Sequence, residues 1–137
     1  MTLLVPAAIR DALSEHARAG APEEVVGVLA GRHGAAESTV SRAYRARNVA
    51  DRPTTRYEID SETELRLLER IENTRLECVG FYHSHPAGPP EPSDTDARLA
   101  AWPGYSYVIV SLAGGSVELG SWRWNGDRFD PEPVQTE

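Results

Sequence analysis

The stretch Phe81–Asp96, which reads Phe-Tyr-His-Ser-His-Pro-Ala-Gly-Pro-Pro-Glu-Pro-Ser-Asp-Thr-Asp, constrains this chain more than any other. Leu76 to Tyr82, leading into it, is short, apolar and aromatic apart from Glu77, which predicts a strand. If that strand runs on through His83 and His85, their i, i+2 spacing puts both imidazoles on one face. Gly88, Pro89, Pro90 and Pro92 then forbid regular structure. After Ser93, the run Asp-Thr-Asp-Ala-Arg-Leu-Ala reads as the first turns of a helix. Two imidazoles and a carboxylate can thus converge from a strand end and a helix start. Such a trio is a common catalytic zinc set that leaves a fourth position for water. Ser93-x-x-Asp96 alone reads as a helix capping box before it reads as chemistry, and His-x-His alone is weak. Their combination within fourteen positions points to metal chemistry, because two His directly before a proline-rich loop have no packing rationale.

His83-Ser84-His85-Pro86, six residues, then Ser93-Asp94-Thr95-Asp96 resembles the His-x-His-Pro-x6-Ser-x-x-Asp signature of the JAMM (MPN+) metalloproteases. Upstream, Pro22-Glu23-Glu24-Val25-Val26-Gly27-Val28-Leu29-Ala30-Gly31 is similar to that family's Pro-x-Glu-x-x-Gly-x-Leu-x-Gly pattern. The resemblance implies that His83, His85 and Asp96 bind one zinc ion. It further implies that Glu24, rather than Glu23, is the general base and that the Ser93 hydroxyl stabilises the oxyanion. One hydroxyl cannot both cap its helix fully and serve an oxyanion, so Ser93 is expected to face the metal. Ser84, between the two His, points to the opposite face and receives no chemical role.

The resemblance also implies a substrate class: the isopeptide bond between the C-terminal Gly of a ubiquitin-like modifier and a lysine amine. The modifier's Gly-Gly tail would lie extended beside a strand edge. With no room for large inserts, the chain is expected to be a broad isopeptidase of low linkage selectivity. Two other readings compete. One is a processing peptidase for a sulfur-carrier protein ending in Gly-Gly. The other is a non-catalytic scaffold of the same fold, whose members lack the metal ligands present here.

At 137 residues the chain is expected to be a single domain spanning 1–137, with a tail from about 130 that carries two prolines and three acids and reads as frayed. The net charge of −7 argues against a nucleic-acid partner. No apolar run approaches a membrane span, and no signal-peptide pattern opens the chain. The single cysteine, Cys78, excludes an internal disulfide, so a reducing cytoplasm is the expected compartment. Cys78 could be read as a thiol nucleophile, but a strand-embedded Cys behaves as a small buried hydrophobe. All fourteen basic residues are Arg. Genome composition accounts for that; escape of the enzyme from its own conjugation system is the rival explanation.

Periodicity predicts a helix over 5–19 with Val5, Ile9, Ala12, Leu13 and His16 on its stripe, His16 being packed rather than a ligand. A Val-rich strand over 23–31, a turn with an exposed His33, and a strand over 37–49 follow. Ser61-Glu62-Thr63-Glu64 reads as a capping box opening a helix to about Thr74. After the motif come a short helix to about Ala101 and strands over 105–112 and 117–124, with Trp122 and Trp124 on one face. Asn125-Gly126 signals a hairpin, with Arg128-Phe129 returning. The order of elements predicts an α/β sandwich with a mixed, largely antiparallel sheet flanked by helices, the fold that the MPN (cytidine-deaminase-like) resemblance also implies.

Overall fold

Alternating Val, Leu and aromatic runs fold into one eight-stranded sheet; the computed structural model describes residues 1–136. In chain order the elements are β1 Thr2–Leu4, α1 Ala7–Gly20, β2 Val26–Arg32, β3 Glu37–Ala46, α2 Ser61–Glu72, β4 Glu77–His85, α3 Asp94–Leu99, β5 Ser106–Ser111, β6 Glu118–Trp124, β7 Phe129–Glu132 and β8 Val134–Gln135. Across the sheet they stand β7-β6-β5-β4-β2-β3-β1-β8. Pairings β2/β3, β2/β4, β5/β6 and β6/β7 are antiparallel, while β1/β3, β1/β8 and β4/β5 are parallel. The sheet is therefore mixed and largely antiparallel, as its sequence predicts. Among the described residues no helix is long and apolar enough to cross a membrane.

Two cores sandwich the sheet. Leu13 and Ala17 of α1 pack with Leu3, Leu29, Val40, Tyr82, Val108 and Val110 on one face. On the other, Ile71 of α2 packs with Val28, Tyr44, Phe81, Tyr107 and Trp124. Phe81, His83 and His85 share the α2/α3 face by strand alternation, while Tyr82 and Ser84 face α1. Gly80 lets β4 close tightly on β5, since a Cβ there would overlap the Ser106 carbonyl. The motif strand lies between β2 and β5 and is almost wholly buried, with only its first two residues reaching solvent.

Several boundaries differ from expectation. β1 was not predicted, being only three residues long and held by partners at both edges, Glu37–Thr39 of β3 and Val134–Gln135 of β8. Helix α2 is capped one residue earlier than the Ser61 box: the Asp60 carboxylate accepts the Thr63 N–H at 3.2 Å. A carboxylate is as good a cap acceptor as a hydroxyl, and it stood one position upstream. His33 is half-buried, stacked on Tyr105 with ring centroids 4.6 Å apart.

The tail is the main correction. Residues 129–135 are not frayed but form two strands, one at each edge of the sheet, so this segment joins its two ends. Its acid Glu132 is buried, accepting the Ser106 and Ser121 hydroxyls at 2.6 and 2.7 Å and pairing with Arg123 at 2.8 Å. Pro131 sits on an edge strand and Pro133 between strands, positions where a missing N–H costs no ladder bond.

Candidate metal centre

His83 and His85 are the last residues of β4 on its α2/α3 face, because Pro86 cannot extend the ladder. Asp96 is the third residue of α3, and Glu24 stands two residues before β2, the strand paired with β4. The four side chains converge: each offers one ligand atom, all lie within 4.8 Å of one another, and all four residues are buried. His83 Nε2 lies 3.2 Å from His85 Nε2, and Asp96 Oδ2 lies 3.2 and 3.1 Å from those two nitrogens. Glu24 Oε1 is buried without a hydrogen-bond partner; among the described residues only the Tyr44 hydroxyl shares that condition.

These features fit a divalent transition metal. Ligand atoms roughly 2.0–2.1 Å from a tetrahedral ion stand about 3.3 Å from one another, close to the spacings found. His85 Nδ1 lies 2.8 Å from the Pro89 carbonyl, which can only accept, so Nδ1 carries the hydrogen. In neutral His85 that leaves the Nε2 lone pair facing the Asp96 carboxylate oxygen, a repulsive contact unless a proton or cation lies between them. Two imidazoles and two carboxylates are the donor types such an ion takes.

The electrostatics follow from burial and proximity. Burial pushes the Glu24 carboxyl up to about 7; His85 opposes the shift and the Asp96 charge adds to it. Burial also pushes Asp96 up, but bonds from His83 and His85 outweigh it and hold the carboxyl well below the usual range. Burial lowers His83, against the pull of Asp96. For His85 burial acts in the same direction, but bonds to Asp96 and to the Pro89 carbonyl win and raise it.

The proline loop is held at its carbonyls. Gly88 O accepts the Ser111 hydroxyl at 2.6 Å, and Pro90 O accepts the Trp122 indole N–H at 3.1 Å. Prolines supply carbonyl acceptors and no competing donors, so the loop that joins His85 to Ser93 is fixed from β5 and β6.

Ser93 caps α3 in a full box: its Oγ accepts the Asp96 N–H at 3.1 Å and Asp96 Oδ2 accepts the Ser93 N–H at 2.9 Å. This corrects the expectation that Ser93 faces the metal instead of fully capping its helix: the cap is complete. Capping uses a lone pair of the hydroxyl, whereas stabilising an oxyanion uses its hydrogen.

The other sequence candidates lie apart. His16 is half-buried and bonded to the Tyr82 hydroxyl at 2.7 Å on the α1 face, packed as predicted. Cys78 is half-buried, and burial pushes its thiol up to about 11, against thiolate formation near neutrality. Sequence reading missed Tyr57, whose ring lies flat on His83 with centroids 4.2 Å apart and planes 18° from parallel. It comes from the irregular segment between β3 and α2, where no periodicity marks it.

Comparison with known proteins agrees with this architecture. Residues 6–125 match the family described as prokaryotic homologs of the JAB domain. The chain is 44% identical over 139 residues to the desampylase of Haloferax volcanii, covering 98% of this chain and 96% of that one. It is 35% identical over 133 residues to the CysO-cysteine peptidase of Mycobacterium tuberculosis, covering 96% and 89%. A probable TtuB-protein conjugate cleaving protease of Thermus thermophilus is 35% identical over 114 residues, covering 83% and 73%. The solution structure of a Desulfitobacterium hafniense protein superposes with a TM-score of 0.89 at 29% identity, covering 98% and 92%. The chain belongs to the prokaryotic JAB-domain family. It is a hydrolase of the JAMM type.

Proposed function

We propose that the chain is a single-domain, zinc-dependent isopeptidase that removes a ubiquitin-like modifier from a lysine amine. The observation that carries this reading is the convergence of His83, His85 and Asp96 beneath a buried Glu24 carboxylate with a free oxygen. His83, His85 and Asp96 are assigned to hold the ion. Bound there, zinc supplies Lewis acidity toward water and toward the scissile carbonyl. Glu24 is the base. Its burial-raised pKa, about 7, suits a group that takes a proton from the attacking water and returns it to the departing lysine amine. Ser93, oriented by its cap, donates its hydroxyl hydrogen to the oxygen that becomes negative on the carbonyl.

The partners we assign are modifiers ending in Gly-Gly and their conjugates, a choice supported by the desampylase and conjugate-cleaving relatives. The compartment we assign is the reducing cytoplasm, supported by the single cysteine. The relative that acts as a CysO-cysteine peptidase favours a second substrate, the C-terminal residue carried by a sulfur-carrier protein. Both readings share one set of groups.

The test is cleavage of a Gly–Lys isopeptide conjugate, with and without a chelator, beside Glu24→Ala. The expected result is cleavage that is lost with the chelator and restored by added zinc, and that is lost in Glu24→Ala with or without added zinc. Cleavage that survives chelation and the substitution would overturn the mechanism. Turnover of a carrier–amino-acid adduct with none of the isopeptide would select the second substrate.

A further inference from the structure

Glu24 has an unpartnered carboxylate oxygen, yet its backbone is fully committed. Its N–H donates to the Pro53 carbonyl at 2.6 Å, and its carbonyl accepts from Asn48 Nδ2 at 2.9 Å. The next residue is gripped from the other side. Val25 N–H donates to Ser84 Oγ at 2.8 Å, and Val25 O accepts the Ser84 N–H at 3.0 Å.

Ser84 is fully buried and lies between the two His on the opposite face of β4. The strand that presents His83 and His85 to one side thus uses the intervening residue to hold the segment bearing Glu24. Asn48 spends its whole amide in the same place. Nδ2 also donates to the Arg56 carbonyl at 2.8 Å, and Oδ1 accepts the Ala50 and Glu58 N–H groups, both at 3.0 Å. It therefore ties Glu24 to the loop that carries Tyr57.

On the reading of Glu24 as the base, we propose that Ser84 and Asn48 are positioning residues. Together they form a two-sided clamp on the Glu24–Val25 backbone that aims the free carboxylate at the His83, His85 and Asp96 cluster. A carboxylate with no bond of its own is aimed only by its backbone and packing. Catalytic groups must be held within about 0.5 Å of productive geometry, so the aiming falls to the clamp. A purely structural Ser84 would also satisfy the buried Val25 N–H. The two roles differ in what happens to turnover when the chain remains folded and loaded with metal.

The experiment compares wild type with Ser84→Ala, Ser84→Thr and Asn48→Asp. Alanine strands the Val25 N–H, threonine keeps the acceptor, and aspartate keeps Oδ1 while losing both Nδ2 bonds. The readouts are kcat and KM on the conjugate, bound zinc per chain, and hydrogen exchange of the Val25 amide by NMR. For Ser84→Ala and Asn48→Asp the expected result is kcat lowered about 10–100-fold at unchanged KM and zinc content. Val25 exchange should be faster in Ser84→Ala and return to the wild-type rate in Ser84→Thr, together with kcat. In the double variant Ser84→Ala/Glu24→Ala the loss should not exceed that of Glu24→Ala alone, as for residues that act through one another. A folded, zinc-loaded Ser84→Ala with wild-type kcat would overturn the proposal, as would additive losses in the double variant. If Ser84→Ala fails to fold, Asn48→Asp decides by the same criteria. A fully active Glu24→Ala would instead overturn the assignment of the base, a separate outcome from failure of the clamp.

Discussion

Two buried polar clusters occupy this small sheet, and they are built on opposite principles. At the junction of the sheet's ends, Glu132 has both oxygens occupied: Ser106 and Ser121 on one, Arg123 on the other. Arg123 spends its remaining donors on the Gly34 and Ala35 carbonyls at 2.7 and 3.4 Å and the Ser38 hydroxyl at 3.0 Å. At the ends of β4 and α3, a carboxylate oxygen, two imidazole nitrogens and a second carboxylate face each other with one oxygen unsatisfied. A closed network rigidifies; an open one costs stability and keeps capacity for a ligand. Burial alone therefore does not mark a functional site. What distinguishes the candidate metal centre is the satisfaction it leaves unmade.

The sharpest way to break that contrast is to truncate one acid from each cluster. Glu132→Ala leaves Arg123 buried without its counter-charge and should cost about 3–5 kcal/mol in denaturant unfolding. Glu24→Gln removes a buried charge that nothing in the chain pairs, and should leave unfolding free energy unchanged or slightly raised while abolishing most turnover. Equal destabilisation by the two substitutions would erase the distinction.

Ser93 offers a finer cut, because cap and chemistry draw on different parts of one hydroxyl. Ser93→Ala should cost about 1 kcal/mol of stability through the lost cap, whereas Ser93→Gly should cost only a few tenths. Both should lose roughly 100–1,000-fold in kcat if the hydroxyl hydrogen serves the oxyanion. A turnover loss that tracks the stability loss would mean that the cap is all Ser93 does.

The smallest effect lies on the α1 face. Burial, assisted by the Arg45 charge, lowers His16 from 6.5 to about 4. The folded state thus binds this proton more weakly than the unfolded chain. Its contribution is fully present above pH 6.5 and is lost as pH falls through about 4. Solvent reaches part of the ring, so the loss should be about 1–2 kcal/mol. Unfolding titrations of wild type against His16→Gln should converge toward pH 4; parallel curves would refute it.

Legibility in the sequence divides along physical lines. His83, His85, Ser93 and Asp96 could be found because strand alternation, a proline loop and a capping box act over a few neighbouring positions. The same locality exposed the strands rich in Val and Leu. Glu24 came only from the upstream motif, since a Glu before an apolar strand ordinarily meets solvent. Tyr57 and Asn48 were invisible because their contacts reach across an irregular segment with no period. Residues 129–135 were misread for a different reason. Prolines and acids ordinarily mark solvated chain, and distant residues, Arg123, Ser106 and Ser121 for Glu132 and Leu3 for Val134, give this segment a place to go. Ser84 carries no sequence signal of a role because it faces away from the His83 and His85 side chains, which is the orientation that brings its hydroxyl to Val25.

The pairing of β1 with β8 also bears on how the protein is made. Every residue of the candidate centre is synthesised by position 96, but β5, which pairs with β4, follows at 106–111, and the acid that neutralises Arg123 arrives only at 132. A nascent chain released before that point would hold a complete set of ligand residues on an unfinished sheet. It would expose the edge of β1 and an Arg without its buried partner. Such fragments are the kind that unfold and are degraded. The last strands thus close the sheet beside β1 and supply the acid that neutralises Arg123, so the durability of the centre rests on residues that lie outside it.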